Sequence, residues 1–270
     1  MKISQLIKVS AAIAAALTFG QVSAQTLTAT GAVKGTNTYY GFNGSSSLGQ
    51  QRSGSEFTYN GSTFWAFCID PATGTSLPNP YSTLSLASFL NGTSTSGYAQ
   101  QMGRSGYSGF SGLSTSSTTQ SRVQSDLMEL YSWAYNDAMS SATKAAAFGM
   151  AIWEIILQDG SSTGTTYAKT TGRMNSYGSS SSSLDSVDSQ TDAYLSALNT
   201  GNWTGLLGAA ATQTNWTYTV YFENIASGAS QTFLRVTTTP TGVPEPATLA
   251  LAGLGILGAV RFSRRNKKQA

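Results

Sequence analysis

Histidine is absent from the 270 residues, and cysteine occurs once, at Cys68. Without an imidazole, the Ser-His-Asp and Cys-His catalytic arrangements are excluded, as is any zinc or iron site built on histidine nitrogen. Each of these needs a group that exchanges protons or donates a nitrogen near neutral pH. One cysteine cannot cross-link the chain to itself. Charge is scarce as well, since Asp, Glu, Lys and Arg make up only 10 % of the residues. Long apolar runs are also lacking. The stretches at 9–19 and 247–260 both fall short of the roughly 20 residues a helix needs to cross about 30 Å of hydrocarbon.

What is present is Ser, Thr and Gly, at 40, 35 and 28 residues, and a formal charge of +3 with a sequence pI near 8.9. A basic chain raises the question of nucleic acid or an anionic membrane as partner. The answer lies in where the charges sit. Lys2, Lys8, Arg261, Arg264, Arg265, Lys267 and Lys268 supply 7 of the 15 basic side chains, all at the two ends. Residues 25–243 carry 8 basic and 11 acidic groups, a net charge of −3. With no basic aromatic surface and no phosphate-cradling glycine loop, this body has no nucleic-acid signature. Its 27 aromatic residues and low charge also set it apart from disordered tails, which are charge-rich and aromatic-poor.

Both ends read as processing signals. Residues 1–24 have a basic leader, an apolar stretch from Val9 to Phe19 and the small-residue exit Val22-Ser23-Ala24, the layout of a secretory signal peptide with a mature start at Gln25. Residues 244–270 open on Pro244-Glu245-Pro246, a stiff and donor-poor segment suited to being held by a processing enzyme. A 14-residue apolar helix, Ala247 to Val260, follows, and the basic tail begins at Arg261. Gly253, Gly255 and Gly258 make that helix a poor core element, at about 1 kcal/mol each against Ala. The basic cluster after it marks a stop at the cytoplasmic face of a membrane. Pro-Glu-Pro, the short apolar span and Arg261, Arg264 and Arg265 together resemble the PEP-CTERM sorting signal. That resemblance implies two partners, the secretion machinery and an exosortase. The latter is a membrane-embedded cysteine transpeptidase or protease of Gram-negative bacteria, which releases or transfers the protein after a transient stay in the inner membrane. It further implies a final place at the cell surface or in the extracellular matrix, where such proteins are often associated with biofilm and exopolysaccharide.

Within the body, Leu27 to Lys34, Ser55 to Tyr59 and Ser62 to Asp70 read as strands bounded by turn signals such as Asn60-Gly61 and Asp70-Pro71. Around Cys68 both strand faces are apolar, Phe64, Ala66 and Cys68 on one and Trp65, Phe67 and Ile69 on the other, which predicts a central, buried strand. The period then changes. Val123, Leu127, Leu130, Tyr131 and Ala134 predict one amphipathic helix, and Ala145, Phe148, Ile152 and Ile155 or Ile156 a second. Ser140, Ser141 or Thr143 is placed to cap the second helix, and Asp159-Gly160 to close it. A third helix is expected from Leu184 to Asn199, with Ser/Thr/Gly loops at 93–119 and 176–183. Trp216 to Phe222 and Thr232 to Thr238 return as paired strands. The order of strands, helices and strands predicts an α+β fold, a β-rich sandwich or barrel-like part with an inserted helical part.

Phe67-Cys68-Ile69-Asp70-Pro71 and Ala146 to Ile155, with its Ala151-Ile152-Trp153 step, also resemble the two signatures of thioester-domain proteins. In that family a strand cysteine and a glutamine just ahead of the Ala-Ile-Trp helix join as an internal thioester that captures surface amines. Here Gly149 occupies the glutamine position, so Cys68 has no carboxamide to attack and is expected to remain a thiol. Gly149 would instead let its helix approach the Cys68 strand closely, with Trp153 a core aromatic and Glu154 a helix carboxylate. Asp126, Glu129, Asp137, Glu154 and Asp159 are candidates for a glycosidase acid and base, though their spacing selects no pair. Asp185, Asp188 and Asp192 lack the alternating spacing of a calcium loop, and no cofactor or metal is expected. The reading that follows is an exported, exosortase-processed protein with a non-catalytic binding or structural body. Two alternatives stay open, a secreted carbohydrate-active enzyme using two carboxylates and a reactive thioester adhesin.

Overall fold

In a computed structural model of the chain, the described residues are 25–35, 38–42, 49–51, 54–70, 76–91, 116–158, 167–168, 174–176, 182–223 and 230–238. The signals read at 1–24 and 244–270 lie outside them, as do Asp159 and Gly160. Among the described residues no helix is long and apolar enough to cross a membrane.

The chain runs through β1 (Gln25–Lys34), β2 (Thr38–Phe42), β3 (Gly49–Gln51), β4 (Gly54–Tyr59), β5 (Ser62–Cys68), β6 (Asn79–Ser85), α1 (Leu86–Asn91), α2 (Ser117–Ala138), α3 (Ala142–Leu157), β7 (Met174–Ser176), α4 (Ser182–Thr200), α5 (Trp203–Leu207), β8 (Trp216–Glu223) and β9 (Phe233–Thr238). Six strands close into a barrel in the order β1-β4-β5-β9-β8-β6, with β6 pairing back to β1. Closure removes the exposed edges that invite aggregation. The helices enter between β6 and β8, and β7 pairs with β2 in a small sheet ordered β3-β2-β7. The architecture is thus α+β, a barrel with an inserted helical part.

Local chemistry explains the elements. Asn60 and Gly61 both take positive φ, 53° and 71°, as the tight turn of the β4–β5 hairpin requires. β5 lies between β4 and β9, and Ala66, Phe67, Cys68 and Ile69 are all buried, as two apolar faces predict. One face feeds a cluster in which Phe57 packs on Phe233, with centroids 4.4 Å apart, and Phe64 stacks on Tyr221 at 4.8 Å. From the other face, Phe67 meets Phe148 of α3 edge-on at 4.9 Å, and Phe148 meets Tyr131 of α2 at 4.9 Å. Opposite Phe67 in the hairpin is Gly54, where a Cβ would sit 3.2 Å from the ring.

α2 starts at the tail of the expected 93–119 loop because Ser116 caps it, accepting from Thr119 N–H at 3.2 Å. Ser141 caps α3 in the same way, through Lys144 N–H at 3.2 Å. α3 departs from expectation in one respect. Its spacing predicts an amphipathic helix, yet every residue from Ala145 to Leu157 is buried. The cause is tertiary, since α2, α4 and the barrel strands β1 and β4 all pack around it. β2, β3, β6, β7 and the short helices α1 and α5 are additional to the expected elements, because segments of three to seven residues carry too little periodicity.

Candidate functional site

Two regions carry candidate functional groups, the seam between β5 and α3 and a groove between α2 and β8. At the seam, Cys68 ends β5 and is only 4 % exposed. Its Sγ donates to the Asp70 carbonyl at 3.2 Å and accepts from the Asp70 N–H at 3.3 Å, so the thiol is turned onto its own backbone. Burial, with the Asp70 charge second, pushes the Cys68 pKa well above the ordinary thiol range. The tie to α3 is made by Trp153, whose indole N–H donates to the Cys68 carbonyl at 3.0 Å. Gly149 is buried one helical turn before Trp153. The sequence marked Trp153 as a core aromatic, and it is one, but its bond to the very residue the resemblance singled out was not foreseeable without the fold.

Glu154, next to Trp153, is 1 % exposed, and among the described residues neither carboxylate oxygen has a hydrogen-bond donor. Burial, with Asp192 of α4 adding like charge, pushes its pKa up to about 9, so the side chain is a neutral acid at pH 7. The other sequence-derived acids are dispersed. Asp126 takes the Tyr167 hydroxyl and lies 3.7 Å from Arg122. Asp137 holds Lys144 at 2.6 Å and the Tyr194 hydroxyl at 2.8 Å. Glu129 accepts from the Trp203 indole N–H at 2.8 Å. Asp188 and Asp192 lie on α4, and nothing is described of the Asp185 side chain. Among the described residues no three His, Cys, Asp or Glu side chains come together.

The groove has a volume of about 370 Å³. α2 lines it with Ser125, Met128, Glu129, Ser132 and Trp133, whose spacing of three and four residues defines one helix face. β8 adds Trp216 and Tyr218, which alternate onto one strand face, and the segment before it adds Gln213 and Asn215. Four hydrogen bonds fix these walls. The Trp216 indole N–H donates to the Tyr131 carbonyl at 3.1 Å and the Tyr218 hydroxyl to the Met128 carbonyl at 3.0 Å. Thr214 N–H donates to the Ser132 carbonyl at 2.8 Å, and Glu129 is held by Trp203 as above. Trp203 in turn lies parallel to Trp133, at 6.5 Å and 7°. Of these residues the sequence had marked only Glu129 as a candidate. A Trp-x-Tyr strand face preceded by Gln213 and Asn215 was the one available signal, and it read equally well as a barrel strand.

Residues 242–265 match the PEP-CTERM protein-sorting motif, which includes Pro244, Glu245, Pro246, Arg261, Arg264 and Arg265. The protein is therefore an exported one, anchored transiently in the membrane and cleaved by an exosortase, with its product at the cell surface or outside the cell. Among solved structures the chain is similar to the N-terminal domain of the Streptococcus pyogenes pilus tip adhesin Cpa. The likeness has 11 % identity and a TM-score of 0.41, and it covers 83 % of this chain and 97 % of that one. Among curated proteins none matches.

Proposed function

We propose that residues 25–243 act after export as a non-catalytic binding module of the cell surface or extracellular matrix, attached to its target without a covalent bond. The observation that carries this reading is the state of Cys68. Its thiol is buried, bonded to the Asp70 backbone and held protonated, and Gly149 stands where an acyl donor would be needed. Further support comes from the groove, a preformed concavity of the kind that binds small ligands. Among the described residues its lining contains one carboxylate, Glu129, whereas glycoside hydrolysis by an acid and base needs two, about 5–10 Å apart. Association with biofilm or exopolysaccharide follows from the sorting motif as a proposal for where the module works.

Two measurements test this. Intact mass spectrometry of the exported protein is expected to give the mass of the free thiol, unchanged by methylamine. Loss of one ammonia, followed on treatment by addition of one methylamine as an amide with release of the thiol, would establish a reactive thioester and end the non-covalent reading. Fractionation of the host with and without its exosortase is expected to move the protein from a shorter product outside the cytoplasm to a longer, inner-membrane form. An identical uncut protein in both strains would remove the surface assignment.

A further inference from the structure

We infer that the groove between α2 and β8 is a binding site for a neutral glycan chain, an inference that rests on the binding-module reading and names its ligand class. The indole N–H of Trp216 and the hydroxyl of Tyr218 are already used on backbone carbonyls of α2. What these side chains present to a ligand is therefore ring surface, and Trp133, Trp216 and Tyr218 are each half-buried, with part of that surface open. Ser125, Gln213 and Asn215 are exposed at the same groove and carry hydroxyl and amide groups that donate and accept. A ligand suited to both has flat C–H faces and a rim of hydroxyls, which describes a pyranose. An apolar peptide side chain would leave the amides facing carbon, at a cost in desolvation.

Charge narrows the class. Among the described residues no Lys or Arg lines the groove, and the one ionic side chain there is Glu129. An anionic polymer such as a polyuronate or a phosphate-bearing chain would meet a like charge with no cation to offset it. The volume of about 370 Å³ falls near the lower end of the roughly 300–1,000 Å³ of small-molecule sites, which suits one or two sugar rings of a longer chain. The walls are also preorganised. Hydrogen bonds from β8 and from Thr214 to α2 hold the rings in place before any ligand arrives, so less ordering is required on binding.

The test uses the exported protein purified from its host. It is titrated calorimetrically, and by tryptophan fluorescence, with cellotetraose, mannotetraose, galactotetraose, the neutral polysaccharide fraction of the host's own matrix, and tetragalacturonate. At least one neutral glycan is expected to bind saturably, with the uronate at least about tenfold weaker. Trp133→Ala is expected to weaken binding about tenfold. Gln213→Ala, on an exposed segment, is expected to weaken it several-fold without moving the unfolding midpoint, which keeps the test valid should the tryptophan variant misfold. Glu129→Gln is expected to narrow the gap between neutral and anionic glycans. The inference is overturned by no binding of any neutral glycan in the panel, by uronate binding as tight as neutral binding, or by affinity unchanged in Gln213→Ala and Trp133→Ala alike. Those results leave the surface-module reading standing if the protein is still exported, cut and free of a thioester. A thioester in the mass spectrum would remove that reading whatever the groove binds.

Discussion

The seam at Cys68 and the groove at Trp216 are built with the same device and end in opposite conditions. In each, a tryptophan indole N–H donates to a backbone carbonyl across the boundary between strand and helix, Trp153 to Cys68 at 3.0 Å and Trp216 to Tyr131 at 3.1 Å. At the seam every neighbour on α3 is buried, and the reactive-looking residues Cys68 and Glu154 are held neutral by exclusion of water. At the groove α2 turns Ser125, Glu129 and Ser132 outward beside the rings, and the concavity stays open. Chemical type is therefore a poor guide to a site. The thiol and the buried acid belong to the packing, whereas amides, hydroxyls and ring faces line the surface available to a ligand.

Substitutions at the seam should therefore act on stability. The largest effect is expected for Trp153→Ala, at about 3–5 kcal/mol in denaturant unfolding, from the lost ring and the cavity left behind. Trp153→Phe should cost less, about 1–3 kcal/mol, chiefly through the unpaired Cys68 carbonyl. Equal, small losses in both variants would mean that the seam is not the packed contact described.

Glu154 gives the seam a pH signature. Folded, it keeps its proton up to about pH 9, and unfolded it releases it near 4.5. Between those values folding takes up a proton, so stability is highest below about 4.5 and falls as pH rises through 9, by at most about 1.4 kcal/mol per unit. Glu154→Gln should flatten that slope and gain stability at pH 8, by up to about 5 kcal/mol. Parallel stability–pH curves for the two proteins would place Glu154 in contact with water.

Gly149→Ala probes the packing of the same seam. In an open helix the change stabilises by about 1 kcal/mol, whereas a close approach to the β5 strand makes it destabilising by about 1–3 kcal/mol. A stabilised variant, read from the unfolding midpoint, would separate Gly149 from any packing role. Smaller still, Ser141→Ala should cost about 1 kcal/mol through the lost cap of α3. Gln213→Ala, on the rim of the groove, should stay within about 0.5 kcal/mol of the parent. A rim substitution as costly as the Ser141 one would erase the distinction between the two regions.

Much of the fold was legible in the sequence because it is written in local periodicity. Asn60-Gly61 marks the β4–β5 hairpin, two apolar faces mark β5 as central, and the residues from Val123 to Ala134 that recur at three and four positions are all buried on α2. The seam was partly legible, since Cys68, Gly149 and Trp153 were singled out, but the bond from Trp153 to Cys68 spans 85 residues of sequence. The groove was hardly legible at all. Its residues come from α2 and from 213–218, and each reads locally as an ordinary helix or strand position.

Local sequence sets the addressing of this protein, because a sorting signal is a linear run of residues, with Pro244-Glu245-Pro246 and the arginine cluster close together along the chain. It also settled what chemistry is impossible, since a chain without histidine lacks a neutral-pH base of that kind in any fold. Tertiary structure alone decided which polar groups face water. Burial turned Glu154 from a helix carboxylate into a neutral acid, and barrel closure brought β8 against α2 so that Trp216 and Tyr218 became walls of a groove. The physical reason is that desolvation and concavity depend on which distant segments pack together, and no local pattern of residues encodes that distance.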